Sequence, residues 1–241
     1  AGNQKTNRKY LAEHLEKEEK SMLRDIDLKA VSDGRLYRQS DMAKVGCNDC
    51  KGCSDCCRGM GSSIVLDPYD CFMLCKNLGE SFESLLSYAI ELQVVDGIIL
   101  PNLKMADKTD ACAFLNEQGR CGIHSFRPGF CRMFPLGRIY ENQSFQYFLQ
   151  VHECAMEPKS KVKINKWIGI PDIRRYETFV TDWHYFLKKV EEILKHFEDE
   201  ASLKNITMYL LKTFYLMPYD ESQDFYSQFQ ERLEKAGKFF S

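Results

Sequence analysis

Past Pro171 the apolar positions of the chain fall into helical step. Tyr176, Phe179, Val180, Trp183, Phe186, Leu187, Val190 and Leu194 recur three and four residues apart among charges, which predicts one long amphipathic helix. Two more helices are expected at about 201–216 and 221–238, separated by Met-Pro-Tyr-Asp. At the other end, Tyr10, Leu11, Leu15, Met22 and Leu23 form a broad stripe, predicting a helix over residues 5–30 that stops at Ser32-Asp33-Gly34.

Between these ends the pattern shortens. Ile64 to Leu66 read as a brief strand entering a helix, with Asp67 as N-cap, Pro68 in the first helical position and Gly79 as the stop. A second short helix is expected over residues 81–92, with Ser81 as its cap. Apolar runs on either side of Asp96-Gly97 signal a hairpin. Residues 112–123, turning at Asn116 to Gly119, and residues 137–151, with 141–144 at the tip, read the same way. The expected fold is α+β: a small cysteine-rich metal-binding core of loops and short hairpins, wrapped by N- and C-terminal helices. Its segments are 1–41, 42–170 and 171–241.

Composition narrows the function classes. The chain has 241 residues, a 44% hydrophobic share and a formal net charge of −2, so no basic coat steers it to nucleic acid. The apolar run Ile98 to Leu100 ends at Pro101, far short of the ~20 residues that span a bilayer. The first twenty residues hold no apolar leader stretch, and the expected location is the cytoplasm. Phosphate-binding, dinucleotide-binding, serine-hydrolase and H-E-x-x-H signatures are all missing from the sequence.

What remains is thiol chemistry. Eleven cysteines are present, and five of them (Cys47, Cys50, Cys53, Cys56 and Cys57) fall within eleven residues. Cys71 and Cys75 share a helix face with Leu78 and read as core packing. Clustered cysteines in a reducing compartment point to metal binding or catalysis rather than disulfides. A C-x-x-C step sets two thiolates to converge on one ion or cluster, in zinc and iron–sulfur sites alike. Thioredoxin-like dithiols share the spacing, but they use one pair beside a βαβ unit. Cys112 and Cys121 flank the turn at Asn116 to Gly119, so a hairpin brings them near each other; Cys131 and Cys154 complete the candidate metal ligands. In an extended chain Cys56 and Cys57 oppose each other. If Cys53 and Cys56 serve one centre, Cys57 reaches another. Two adjacent centres follow, as two zinc sites or two cubanes. The tandem spacing tilts toward iron, most often as 4Fe-4S, with zinc as the alternative.

The set Cys50, Cys53, Cys56 and Cys57 at C-x-x-C-x-x-C-C spacing, Cys112 before Ala-Phe-Leu, then Cys121-Gly-Ile-His-Ser-Phe-Arg-Pro-Gly-Phe-Cys131 and Cys154, resembles the YkgJ-type cysteine-cluster family over roughly residues 45–170. The wording of residues 59–70 and 94–105 is similar to its clostridial branch. The resemblance implies a zinc- or iron-chelating domain, with an iron–sulfur cluster favoured, because the wider group includes a domain of flagellin lysine N-methylases in which such a cluster is implicated. Cys47 lies outside the minimal motif.

Three further residues are candidates for the cofactor's surroundings. Arg127 and Arg132 flank Cys131 and can donate to thiolates, and His124 follows Cys121 by three. Lys159, Lys161, Lys163 and Lys166 follow Cys154 as a docking patch or a solvated strand face. The leading expectation is an iron–sulfur protein in electron transfer, or the redox component of a protein-modifying system, with a redox partner protein. An enzyme with an open iron for methyl transfer and a zinc-stabilised interaction module are the alternatives.

Overall fold

The computed structural model describes residues 27–47, 53–106, 108–197 and 199–240. It is a mixed helix-and-strand fold of small sheets around a cysteine-rich middle, closed by C-terminal helices. The helix expected over residues 5–30 lies almost wholly outside the described residues; those that are described begin with a separate short helix, α1 (Leu28–Val31), which starts at the extended N-cap Asp27.

Two strands follow where the sequence pattern was silent: β1 (Ser32–Tyr37) and β2 (Met42–Gly46). Strand β1 buries only Tyr37, so it has no alternation to read, and its pairing comes from a distant partner. Helix α2 (Pro68–Leu78) begins and ends as expected. Asp67 accepts the Asp70 N–H at 2.8 Å, Asp70 accepts the Asp67 N–H in return, and Gly79 closes the helix in the left-handed region at φ 69°. Helix α3 (Phe82–Leu86) is capped by Ser81 but is shorter than expected. Ile90 already belongs to β3 (Ile90–Val95), which pairs antiparallel with β4 (Ile98–Leu103). The two loop residues, Asp96 and Gly97, both have positive φ, the geometry a two-residue hairpin demands.

Two-residue strands β5 (Met105–Ala106) and β6 (Ala111–Cys112) follow, then the short helix α4 (Gly129–Met133). The hairpin β7 (Leu136–Glu141) and β8 (Ser144–Gln150) turns through Asn142 and Gln143, both at positive φ. Strand β1 adds to β8, giving a three-stranded sheet in the order β1-β8-β7. Strand β9 (Ser160–Lys163) pairs antiparallel with β2 and runs into α5 (Ile164–Ile168).

Helix α6 (Ile173–Leu194) buries all eight residues of the expected stripe. Helix α7 (Glu200–Leu211) continues as a π-turn over Lys212–Leu216, and α8 (Phe225–Phe239) closes the chain. These helices meet the cysteine-rich part through aromatic side chains. Tyr69 of α2 stacks on Tyr226 at 5.6 Å, and Phe72 on Phe225 at 5.2 Å. Of these four, Phe225 is buried and its burial contributes about 1.5–3 kcal/mol, while the other three are partly buried against the core. One hydrophobic core therefore runs from Tyr37 to Phe240. Cys71 is buried in it and Cys75 packs against it. Among the described residues no helix is long and apolar enough to cross a membrane.

Candidate metal centre

Three backbone pieces bring the thiols together. Cys56 and Cys57 lie in a 3-10 turn, Asp55–Cys57, closed by the Cys57 N–H to Ser54 O at 2.8 Å. Arg58 bridges to Ala111, and the Gly59 N–H donates to Asp110 O at 2.9 Å, which sets the turn beside Cys112. The second piece is the loop after β6. Leu115 bridges to Cys121, the Asn116 N–H donates to Arg120 O at 2.9 Å, and Asn116 Oδ1 accepts the Arg120 N–H at 2.8 Å. The hairpin closes and Cys121 comes back to Cys112.

The third piece is α4, which carries Cys131. Its first N–H, from Gly129, donates 2.7 Å to Oδ1 of the buried Asp70. Asp70 is itself fixed by the capping box of α2. Tyr176 of α6 presses its hydroxyl so close to Gly129 that a Cβ there would collide with it. Arg138 Nη2 holds that hydroxyl at 3.1 Å. The depth of the fold thus aims Cys131.

Cys53, Cys56, Cys57, Cys112, Cys121 and Cys131 line one cavity of about 40 Å³, with Ile64, Leu103 and Ile123 among its apolar walls. One water needs roughly 10–15 Å³ measured this way, so the space suits a few water-sized bodies. Cys57 is hydrogen-bonded to both Cys56 and Cys121. These bonds, reinforced by Arg127, hold Cys56 down at about 7 and Cys121 at about 6, and they push Cys57 far up. Burial pushes Cys112 and Cys131 up. Among the described residues no three His, Cys, Asp or Glu side chains are spaced to hold a metal ion as they stand. The thiols ring the cavity without closing on one point.

A second thiol group adjoins the first. Cys47 follows β2 and is buried, and the β2–β9 ribbon carries the chain back toward Cys154. Gly46 sits opposite Ser160, so close that a Cβ would meet the serine hydroxyl. Burial raises the Cys154 thiol, and the nearby thiols of Cys47 and Cys53 raise it further. Lys159 Nζ donates to Cys154 O at 2.6 Å. Cys53 thus lines the cavity and also acts electrostatically on Cys154. Cys50 lies outside the described residues.

The expectation that Cys56 and Cys57 oppose each other does not hold. Residues in a 3-10 turn advance by about a third of a turn rather than alternating, so both thiols reach the same cavity. The thiol that lines the cavity and also acts on Cys154 is Cys53.

The three supporting residues have separate positions. Arg127 and His124 line the cavity and are hydrogen-bonded to each other. Arg127 Nε is buried with no hydrogen-bond partner. Arg132 does not line the cavity. It spends its donors on the backbone oxygens of Arg127 at 2.8 Å, Ser125 at 2.5 Å and Ile168 at 3.4 Å, bracing the segment between Cys121 and Cys131. Sequence reasoning missed Asp70, Gly129 and Tyr176. Asp70 reads as an ordinary first-turn acid, and nothing local reveals its bond to a residue 59 positions away. It also missed Arg120, another lining residue, whose signal was only its place beside Cys121.

Residues 49–155 match the family model CxxCxxCC, described as "Putative zinc- or iron-chelating domain". The cavity thiols all fall within that segment, while Cys47 precedes it. No curated protein and no solved structure matches the chain. The chain is cysteine-rich, and the match to a zinc- or iron-chelating domain over this segment supports metal binding.

The residues also fit such a group on chemical grounds. Thiols that ring one cavity become anionic when a cation binds. Arg127 lines the cavity and its buried Nε–H has no other partner, so it is a donor available to anionic sulfur.

Proposed function

We propose that the chain is an iron–sulfur protein of a reducing, cytoplasmic compartment, with two adjacent thiolate-held centres, serving in electron transfer or as the redox part of a protein-modifying system. The observation that carries this reading is the number of thiols. Six line one cavity, and Cys154 has Cys47 and Cys53 near enough to raise its thiol. One tetrahedral zinc ion or one cubane cluster takes four such ligands, so the count supports two centres, and the preference for iron rests on the tandem C-x-x-C spacing.

In this reading the first centre draws its ligands from Cys56, Cys57, Cys112, Cys121 and Cys131. The second draws on Cys47, Cys53 and Cys154, with Cys50 from the same C-x-x-C run. An iron–sulfur cluster supplies one-electron chemistry when bound, and hydrogen bonds to its sulfurs and its exposure set the potential. Arg127 serves as such a donor. His124 orients Arg127 instead of ligating metal, because their side chains are already paired. Ile64, Leu103 and Ile123 limit water at the cavity wall.

Anaerobic purification with elemental analysis tests the choice of metal. Iron with a matching amount of acid-labile sulfide, and a broad visible absorption, are expected. A colourless protein carrying stoichiometric zinc, with no iron even after anaerobic reconstitution with iron and sulfide, contradicts the reading and leaves a zinc-stabilised module.

A further inference from the structure

The β2–β9 ribbon presents a charged face that nothing inside the described fold neutralises. Residues directly opposite in an antiparallel pair point to the same side, so the register Met42↔Lys163 and Lys44↔Lys161 sets these four side chains on one face. Ala43, Val45 and Val162 turn inward. All three lysines are exposed, Met42 is 50% exposed among them, and Lys166 extends the charge onto α5. Like charges placed directly across a ladder cost stability. Even so, among the described residues the side chains of Lys44, Lys161, Lys163 and Lys166 have no acidic or hydrogen-bonding partner. The local acids are engaged elsewhere. Asp41 accepts the Arg38 N–H at 2.7 Å, and Glu157 pairs with Lys159. The patch also stands against a chain whose net charge is −2.

Position gives the patch its meaning. Strand β2 ends at Gly46, directly before Cys47, and Lys159, just before β9, holds the Cys154 carbonyl. A partner seated on this face lies at the edge of the second thiol group. We infer that the Met42/Lys44/Lys161/Lys163 face is the docking surface for an acidic electron-carrier protein. That the partner is an electron carrier rests on the redox reading above; that it is acidic rests on the ribbon alone. A nucleic acid fits less well, because phosphate-driven binding draws on about six to ten cationic contacts and the rest of this chain is not basic.

The test uses the whole chain and its Lys44→Glu/Lys161→Glu/Lys163→Glu variant. Each is titrated with a small acidic plant-type ferredoxin and, separately, with a 20-nucleotide single-stranded DNA, at low and high salt. Metal content and circular dichroism are measured on the same preparations. Ferredoxin binding that weakens with salt, and falls about tenfold or more in a folded variant with unchanged metal content, is expected. Ferredoxin binding that the variant leaves unchanged overturns the proposal. So does the absence of ferredoxin binding at low salt, or tighter binding of DNA through the same lysines. A zinc-only preparation that still binds ferredoxin through these lysines removes the redox reading and leaves the acidic-partner surface standing.

Discussion

At the scale of single residues, the thiols are half of the site and their supports are the other half. Gly129 has no side chain because the Tyr176 hydroxyl occupies that space, and its N–H ends on Asp70. Gly129→Ala is expected to cost about 1–3 kcal/mol in urea unfolding, as overpacking does, and to lower the metal retained by the first centre while Cys131 itself stays in place. Asp70→Ala leaves a buried N–H unpaired and is expected to cost a similar ~1–3 kcal/mol. An unfolding midpoint unchanged in both variants would show that α4 is held by something else. The cysteines were legible in the sequence because C-x-x-C spacing is a short-range signal. Asp70 and Tyr176 were not, because their roles exist only across the fold. The direction of Cys57 was misread because an extended chain was assumed where the backbone makes a 3-10 turn.

At the scale of elements, the sequence spoke clearly wherever one turn or one helical face decides the outcome. Asp96-Gly97 and Asn142-Gln143 close their hairpins, and the α6 stripe is buried in full. Strands β1 and β2 escaped notice because they pair with β8 and β9, more than a hundred residues away. The β2–β9 ribbon is also what draws Cys47 and Cys154 into one neighbourhood. Gly46→Val is expected to push the ribbon apart at Ser160 and release metal from the second centre, leaving the first loaded. Loss from both centres alike would argue against a division of the thiols.

Helix α6 carries a pH-sensitive contact. His184 stacks on Tyr140 with ring centroids 3.7 Å apart. Burial, then Lys188 and Arg138, lower its pKa from 6.5 to about 4. The folded state therefore favours the neutral ring, and the unfolded chain binds the proton first as pH falls. The His184 contribution is intact above about pH 6.5 and is lost between there and about pH 4. His184→Gln is expected to flatten the fall in urea midpoint between pH 7 and pH 5. An equally steep fall in the variant would assign the pH dependence to other groups.

At the scale of the whole molecule, one core joins the C-terminal helices to the cysteine-rich middle, so the site is held by a full-sized fold rather than by metal alone. The α+β class, the helical C-terminal third and the thiol inventory could all be read from composition and period. The arrangement of the thiols could not. It depends on a turn type, a long-range ribbon and a buried carboxylate, none of which leaves a periodic trace. The division of the thiols into a cavity group and a ribbon group, with Cys53 lining the cavity and acting on Cys154, is the central claim. It is tested most directly by the metal bound per chain in the wild type, Cys121→Ser and Cys154→Ser after identical anaerobic preparation. Each variant is predicted to keep about half of the wild-type metal. Complete loss in both variants, or full retention in either, would contradict two separately held centres.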